Sequence, residues 1–293
     1  MREATIGASG LRVSSLGLGT ETWGKGTDWD QARAIVHTFK DAGGTLVDVS
    51  PGAVAMASSL LDAEDIISVA SGVNPEAPMG RRVDCSRRNL ISQLDAMLRA
   101  LGRDHIDLWS VGFWDPHTPA FEVADTLEQV VRQGKVRYAG VRGYQGWQLA
   151  LTHRPSVVAA ITPYHLLHRT PETDLFPAAE YLGVGIIAGA PLAQGVLSGR
   201  YQRSFQAKEN PQRYAEAHGL LTGSEAVVEA LRTAAEGLGI SMAIAAAAWV
   251  RHQSGVSSIL ATPRTEEQCA ELIAAENVTL PRAIAKALDD VTL

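Results

Sequence analysis

Short apolar runs rich in Val, Ile and Leu recur along the chain at residues 15–20, 45–49, 66–70, 106–111, 136–141, 156–161, 184–189 and 256–260. Runs of this kind suit parallel strands buried on both faces. Between them lie segments whose apolar positions return every three or four residues, the signature of a helix with one buried stripe. Residues 86–101 are the clearest case: Ser86 is a candidate N-cap, and Leu90, Leu94, Met97, Leu98 and Leu101 fall on one face. Strand then helix, eight times over, predicts an α/β fold closed as a (β/α)8 TIM barrel. Residues 2–14, two short runs around Gly7 and Gly10, predict an N-terminal hairpin that covers the barrel floor. The 293 residues fit one such barrel, so a single domain is expected over 1–293.

Composition narrows the partners. With 46% hydrophobic and 20% charged residues the chain can bury one large core, and a formal net charge of -6 argues against a nucleic-acid surface. The doublets Arg81-Arg82 and Arg87-Arg88 read as a solvated loop and a helix start. No apolar run is long enough to span a membrane, and the opening residues, with Arg2 and Glu3, do not read as a signal peptide, so a cytoplasmic protein without membrane partners is expected. Cys85 and Cys269 have no metal-site spacing and read as reduced, structural thiols. His165 and His168 read as loop residues, and no metal site is expected.

In a barrel the chemistry sits where strands end and the following loops begin. Those positions hold Thr20, Glu21 and Trp23; Asp48 to Ala53; Ser71 and Gly72; Gly112 to His117; Arg142 to Tyr144; Thr162 to His165; Gly189 to Gly199; and Ala261 to Gln268.

The stretches GLRVSSLGLGTETWG (10–24), DAGGTLVD (41–48), LGRDHIDLW (101–109), WDPHTP (114–119), GKVRYAGV (134–141), PLAQGVLSGRY (191–201) and PRTEEQ (263–268) together resemble the aldo-keto reductase family over nearly the whole length. The resemblance implies an NADPH-dependent reductase that passes hydride to a carbonyl, using an Asp, a Tyr as general acid, a Lys and a His at the ends of successive strands. On that pattern Asp48 is kept. The tyrosine position falls at Ala53, the lysine position at Ser71 and the histidine position at Gly112. A positioned general acid supplies about 10²–10⁴ in rate, so this set of replacements predicts that ordinary carbonyl reduction is lost.

The cofactor side departs in the same way. Where the family holds the nicotinamide, this chain has Arg142-Gly143, Ile161 and Gly189. The stretch with Leu192, Gly195, Leu197 and Gly199 keeps the family's pyrophosphate loop. Thr262, Pro263, Arg264 and Gln268 keep its grip on the adenosine 2′-phosphate, with Thr262 as a helix cap, although Leu272 stands where the family has Asn. NADP(H) is therefore expected to keep only its adenosine end. Helix-capping residues with a solvated arginine are the plain alternative.

The segment 53–64 is apolar and predicts a helix that either packs on the barrel or meets another chain. Arg142 facing Asp48, with Tyr144 as proton donor, are the candidate replacements for the lost groups; Lys25, Tyr164, Asp115 and His117 also lie at the mouth, and Trp23, Trp109 and Trp114 read as core or pocket walls. Three readings stay open: a binding or regulatory barrel acting on a small ligand or another protein subunit, an oxidoreductase of reactive carbonyls or quinones with relocated acid-base groups, and a non-redox lyase or isomerase using Asp48 and Arg142.

Overall fold

A computed structural model describes residues 1–74, 77–80, 82–201 and 219–292; Arg81 of the first basic doublet lies outside them. The eight predicted strands all form: β3 (Leu16–Gly19), β4 (Leu46–Asp48), β5 (Ile66–Ser71), β6 (Ile106–Gly112), β7 (Val136–Arg142), β8 (Val157–Pro163), β9 (Gly185–Gly189) and β10 (Val256–Ala261). They close in the order β10-β3-β4-β5-β6-β7-β8-β9, every neighbour parallel, which is the TIM barrel expected.

The hairpin forms too, from β1 (Glu3–Thr5) and β2 (Arg12–Ser14). It plugs the floor: Ile6, Leu11 and Val13 pack with the lumen residues Leu46, Leu108, Ile161 and Ile187. Gly7 makes the turn fit. Its φ is +54°, and a Cβ there would stand 2.3 Å from the Gly183 carbonyl oxygen. No other residue combines that backbone with that closeness at low cost.

Helices cover the outside: α1 (Trp29–Asp41), α2 (Val54–Leu60), α3 (Arg87–Leu101), α4 (Ala120–Arg132), α5 (Gly146–Thr152), α6 (Leu175–Leu182), α7 (Glu225–Leu238), α8 (Met242–Arg251), α9 (Glu266–Ala274) and α10 (Arg282–Val291). The predicted stripe of α3 is buried through Leu90, Leu94, Leu98 and Leu101, with Met97 half-buried at its edge. Ser86 is its N-cap residue but makes no side-chain cap bond; the Arg87 N–H goes instead to Glu122. The apolar helix after β4 is shorter than expected. It ends at Leu60, and Met56 and Ala57 are buried against the barrel.

Among the described residues no single helix is long and apolar enough to cross a membrane. The pair α7 and α8 is so only when taken together, and it bends by 101°. Ala243 and every residue from Ala245 to Val250 on α8 are buried.

Candidate active site

Asp48 ends β4 and Arg142 ends β7, three strands round the barrel, yet their side chains meet. Arg142 donates from Nη2 to Asp48 Oδ1 at 2.6 Å and from Nη1 to Oδ2 at 3.1 Å, a two-pronged pair. Backbone register explains the reach. Asp48 lies level with Ser68, and Gly112 level with Arg142, so all four face the lumen. Between Asp48 and Arg142 the lumen positions nearest the strand ends are Ala70 and Gly112, and neither has a side chain long enough to block the guanidinium.

Ser68 completes the centre by donating its hydroxyl to Asp48 Oδ1 at 2.7 Å. The side chains of Arg142 and Asp48 remain 23% and 13% exposed, so the pair lies at the rim of the core with an opening to the mouth. Burial opposes the charged form of Arg142. Asp48, by its charge and hydrogen bonds, and then Glu21 outweigh that and hold the guanidinium above its ordinary value. The Arg142 Nε–H is buried without a partner among the described residues.

Two of the expected tetrad positions need comment. Ser71 does not face the lumen. Its hydroxyl accepts the Trp109 indole N–H at 2.9 Å, and Trp109 belongs to the packing between strands and helices. The lumen residue at that end of β5 is Ala70, which a Cβ built on Gly112 would approach to 3.8 Å. The lysine position is thus better placed at Ala70 than at Ser71, a one-residue slip that strand alternation makes decisive. Ala53 is buried in the turn after β4, its N–H bonded to the Ser50 carbonyl.

The remaining candidates lie apart from the pair or are engaged elsewhere. Tyr144 is buried, and its hydroxyl has no partner among the described residues. Burial, then Cys85 and Asp115, raise its pKa above the ordinary value, so it is a poor acid whose charged neighbours are not Asp48. Asp115 accepts the N–H groups of Cys85 and His117 and the Thr118 hydroxyl, holding its own loop together. Tyr164 donates to Glu172 at 2.6 Å. Lys25 is exposed in the loop after β3. Both cysteines are free and buried, and burial foremost pushes each thiol up to about 12. His165 and His168 pair through their backbones. Among the described residues no three His, Cys, Asp or Glu side chains gather to hold a metal ion.

Aromatic residues line the rim over β6 and β7. Trp114 meets Tyr144 edge-on at 5.6 Å and Trp147 at 5.1 Å. Phe113 is 52% exposed and has a φ of +67°, a left-handed backbone unusual for a bulky residue. Trp23 is buried with its indole N–H unpartnered among the described residues. Sequence reasoning missed Ser68 and Trp147, and placed Phe113 at the mouth only as part of the stretch Gly112 to His117. A serine in the middle of the apolar run 66–70, two residues from either lumen neighbour, was the available signal for Ser68.

The NADP(H) residues divide in two. At the adenosine end, the helix cap is Thr265 rather than Thr262: its side chain accepts the Gln268 N–H. Arg264 and Pro263 precede α9 instead of opening it, and Gln268 turns back to accept the Arg264 N–H at 3.0 Å. The Arg264 Nε–H is buried with no partner among the described residues, a donor suited to a phosphate oxygen beside a helix N-terminus. The loop 190–199 is strained: Ala190, Ala193 and Gln194 have positive φ, and Gly195 and Gly199 follow with +97° and +75°. Leu192 is half-buried there and Leu197 fully buried. At the nicotinamide end Gly143, Ile161 and Gly189 offer no polar side chain. The residues fit the phosphorylated adenosine half of the cofactor and do not fit its ring.

The aldo/keto reductase family model matches residues 15–292, and the chain belongs to that family. It is 30% identical to L-glyceraldehyde 3-phosphate reductase of Escherichia coli (strain K12), over 94% of this chain and 88% of that protein. It is 29% identical to an oxidoreductase of Bacillus subtilis (strain 168) named YrpG, over 99% and 96%. A protein of Oryza sativa subsp. japonica named "Probable voltage-gated potassium channel subunit beta" is 27% identical over 95% and 92%. The structure of a glycerol dehydrogenase from Gluconobacter oxydans superposes with a TM-score of 0.86 at 23% identity, covering 99% of this chain and 94% of that one, which supports the fold alone.

Proposed function

We propose that this chain is an aldo-keto-reductase barrel that has exchanged ordinary carbonyl reduction for ligand binding, with NADP(H) held through its adenosine half. The observation that carries this reading is the two-pronged Arg142–Asp48 pair, closed across the lumen, with the weakly acidic Ser68 hydroxyl as the one further side-chain partner among the described residues. A carbonyl accepting hydride builds negative charge on oxygen and needs a proton. Arginine cannot give one near neutral pH, because its guanidinium stays charged. Tyr144 is buried and its acidity is suppressed. The relative named as a channel subunit gives a precedent for such a barrel acting beside another protein.

A second reading is supported by the same arginine. Its fixed charge, held above its ordinary pKa, is an electropositive group at the mouth, enough to assist a quinone or a highly activated carbonyl that needs no protein acid. A non-redox lyase or isomerase built on Asp48 gains nothing from the geometry, since both Asp48 oxygens are already bonded.

The test is consumption of NADPH by purified protein with a panel of aldehydes, ketones and quinones. No rate above background supports the binding reading. Turnover confined to quinones, abolished by Arg142→Ala, supports the second.

A further inference from the structure

We infer that the groove along the outer face of α3 docks an acidic helix of another protein, gripped at its two ends by Arg88 and Arg99. This surface is separate from the barrel mouth, and the inference holds whether or not the mouth reduces carbonyls.

The groove has a volume of about 760 Å³, is lined by α3 from its cap Ser86 to Arg99, and takes one further wall residue, Glu122, from α4. Its charges are unequally committed. Asp95 accepts from the Lys135 ammonium at 2.8 Å, and Glu122 accepts the Arg87 N–H at 2.9 Å. The Arg87 guanidinium itself donates to Gln129 at 3.2 Å. Arg88 and Arg99 are exposed, and their guanidinium groups have no partner among the described residues. The charge left over in the groove is therefore positive, on a chain whose formal net charge is -6. A partner that complements it is acidic there.

The fold gains little from one of these cations. Arg88 stands in the first turn of α3, which holds no acid and whose cap Ser86 makes no side-chain bond, so the helix dipole opposes it. A local rule broken without return inside the chain is expected where a surface serves another purpose.

The pattern also selects the kind of partner. Arg88, Ser92, Asp95 and Arg99 form one stripe of α3, with half-buried Ile91 beside it. A row of nucleic-acid phosphates would meet the carboxylates of Asp95 and Glu122 within the groove. A peptide suits the mixture, placing carboxylates at the arginines and an apolar side chain on Ile91. The outer face of a helix offers no free strand edge, so an extended segment would gain no backbone ladder, whereas a helix lying in the groove binds through its side chains. Arg88 and Arg99 lie three turns apart, about 16 Å, and a helix packed alongside meets them with carboxylates eleven residues apart.

The experiment is fluorescence anisotropy of the full chain with a labelled helical peptide of about 18 residues, carrying two glutamates eleven apart with leucines between them, and with a twin carrying lysines in their place. The glutamate peptide should bind at least about tenfold tighter than its twin, and the preference should shrink as salt is raised to about 0.5 M. Arg88→Glu combined with Arg99→Glu should reverse the preference. Arg88→Glu alone should melt no lower than the native chain, because an acid then replaces a cation in the first turn. Equal binding of the twins, or none by either, would overturn the inference, and this comparison on the native chain stands even if a variant fails to fold. Tighter binding of heparin than of the glutamate peptide would overturn it in favour of a general polyanion surface. A change in the chain's own oligomeric mass on Arg88→Glu with Arg99→Glu would overturn it in favour of a second copy, and a lower melting temperature for Arg88→Glu would make that arginine a structural residue and overturn it too.

Discussion

Arg142 and Asp48 stand three strands apart and share two hydrogen bonds, 2.6 and 3.1 Å, across the top of the lumen. The contact depends on small residues between them. It places a permanent positive charge beside the one acidic group that family resemblance would assign to catalysis.

Removing one partner should therefore cost more than removing both. Arg142→Met leaves a mostly buried carboxylate whose one remaining partner among the described residues is the Ser68 hydroxyl, at an expected cost of about 3 kcal/mol, the lower end for a broken buried pair because the site is partly open. Asp48→Asn combined with Arg142→Met should recover most of that loss. Urea unfolding of the two singles and the double gives the coupling energy; strict additivity would mean that the pair contributes nothing.

The lysine position can be checked by charge placement. Ser71→Lys would push an ammonium toward Trp109 in the helical layer and should destabilise by several kcal/mol, about the cost of an unpaired buried charge. Ala70→Lys points into the mouth beside Asp48 and should be far milder. Equal melting temperatures for the two variants would contradict the register.

Acid sensitivity should arise partly from His165. Burial first, then His168, lowers its pKa from 6.5 to about 4. Its folded pKa lies below its unfolded one, so the unfolded chain binds the proton first. The contribution to stability is complete above pH 6.5 and is lost as pH falls toward 4. His165→Gln should flatten the stability profile between those values, measured as the urea midpoint at pH 7 and pH 5. An unchanged slope would exclude His165 as the source.

The hairpin plug gives a control that leaves the site alone. Gly7→Ala places a Cβ against the Gly183 carbonyl with an unfavourable φ, and should cost more than the roughly 1–2 kcal/mol of the backbone alone. Ligand affinity at the mouth should not change. A loss of affinity at unchanged stability would mean that the floor and the mouth are coupled.

Much of this was legible in the chain. All eight strands fell within two residues of their predicted ends, because strands buried on both faces announce themselves as apolar runs. Asp48 and Arg142 were readable as strand-end residues, and their meeting was a reasonable expectation. The face of Ser71 was not, since a six-residue apolar strand shows no alternation to fix which side each residue takes. Ser68 was hidden for the same reason. The cap moved from Thr262 to Thr265 because helix starts depend on backbone angles that two nearby threonines do not distinguish in sequence. The Tyr144 hydroxyl and the Arg264 Nε–H, both without a partner among the described residues, belong to tertiary packing alone.

The central claim is that the Arg142–Asp48 centre does not support carbonyl reduction. Its most direct test is a single-turnover experiment: enzyme in excess over NADPH, an activated aromatic aldehyde added, and absorbance of the reduced nicotinamide followed. The account predicts no oxidation above the enzyme-free rate, in the native chain and in Arg142→Ala alike. Oxidation by the native chain that disappears on Arg142→Ala would contradict it and make the arginine the working group of a reductase.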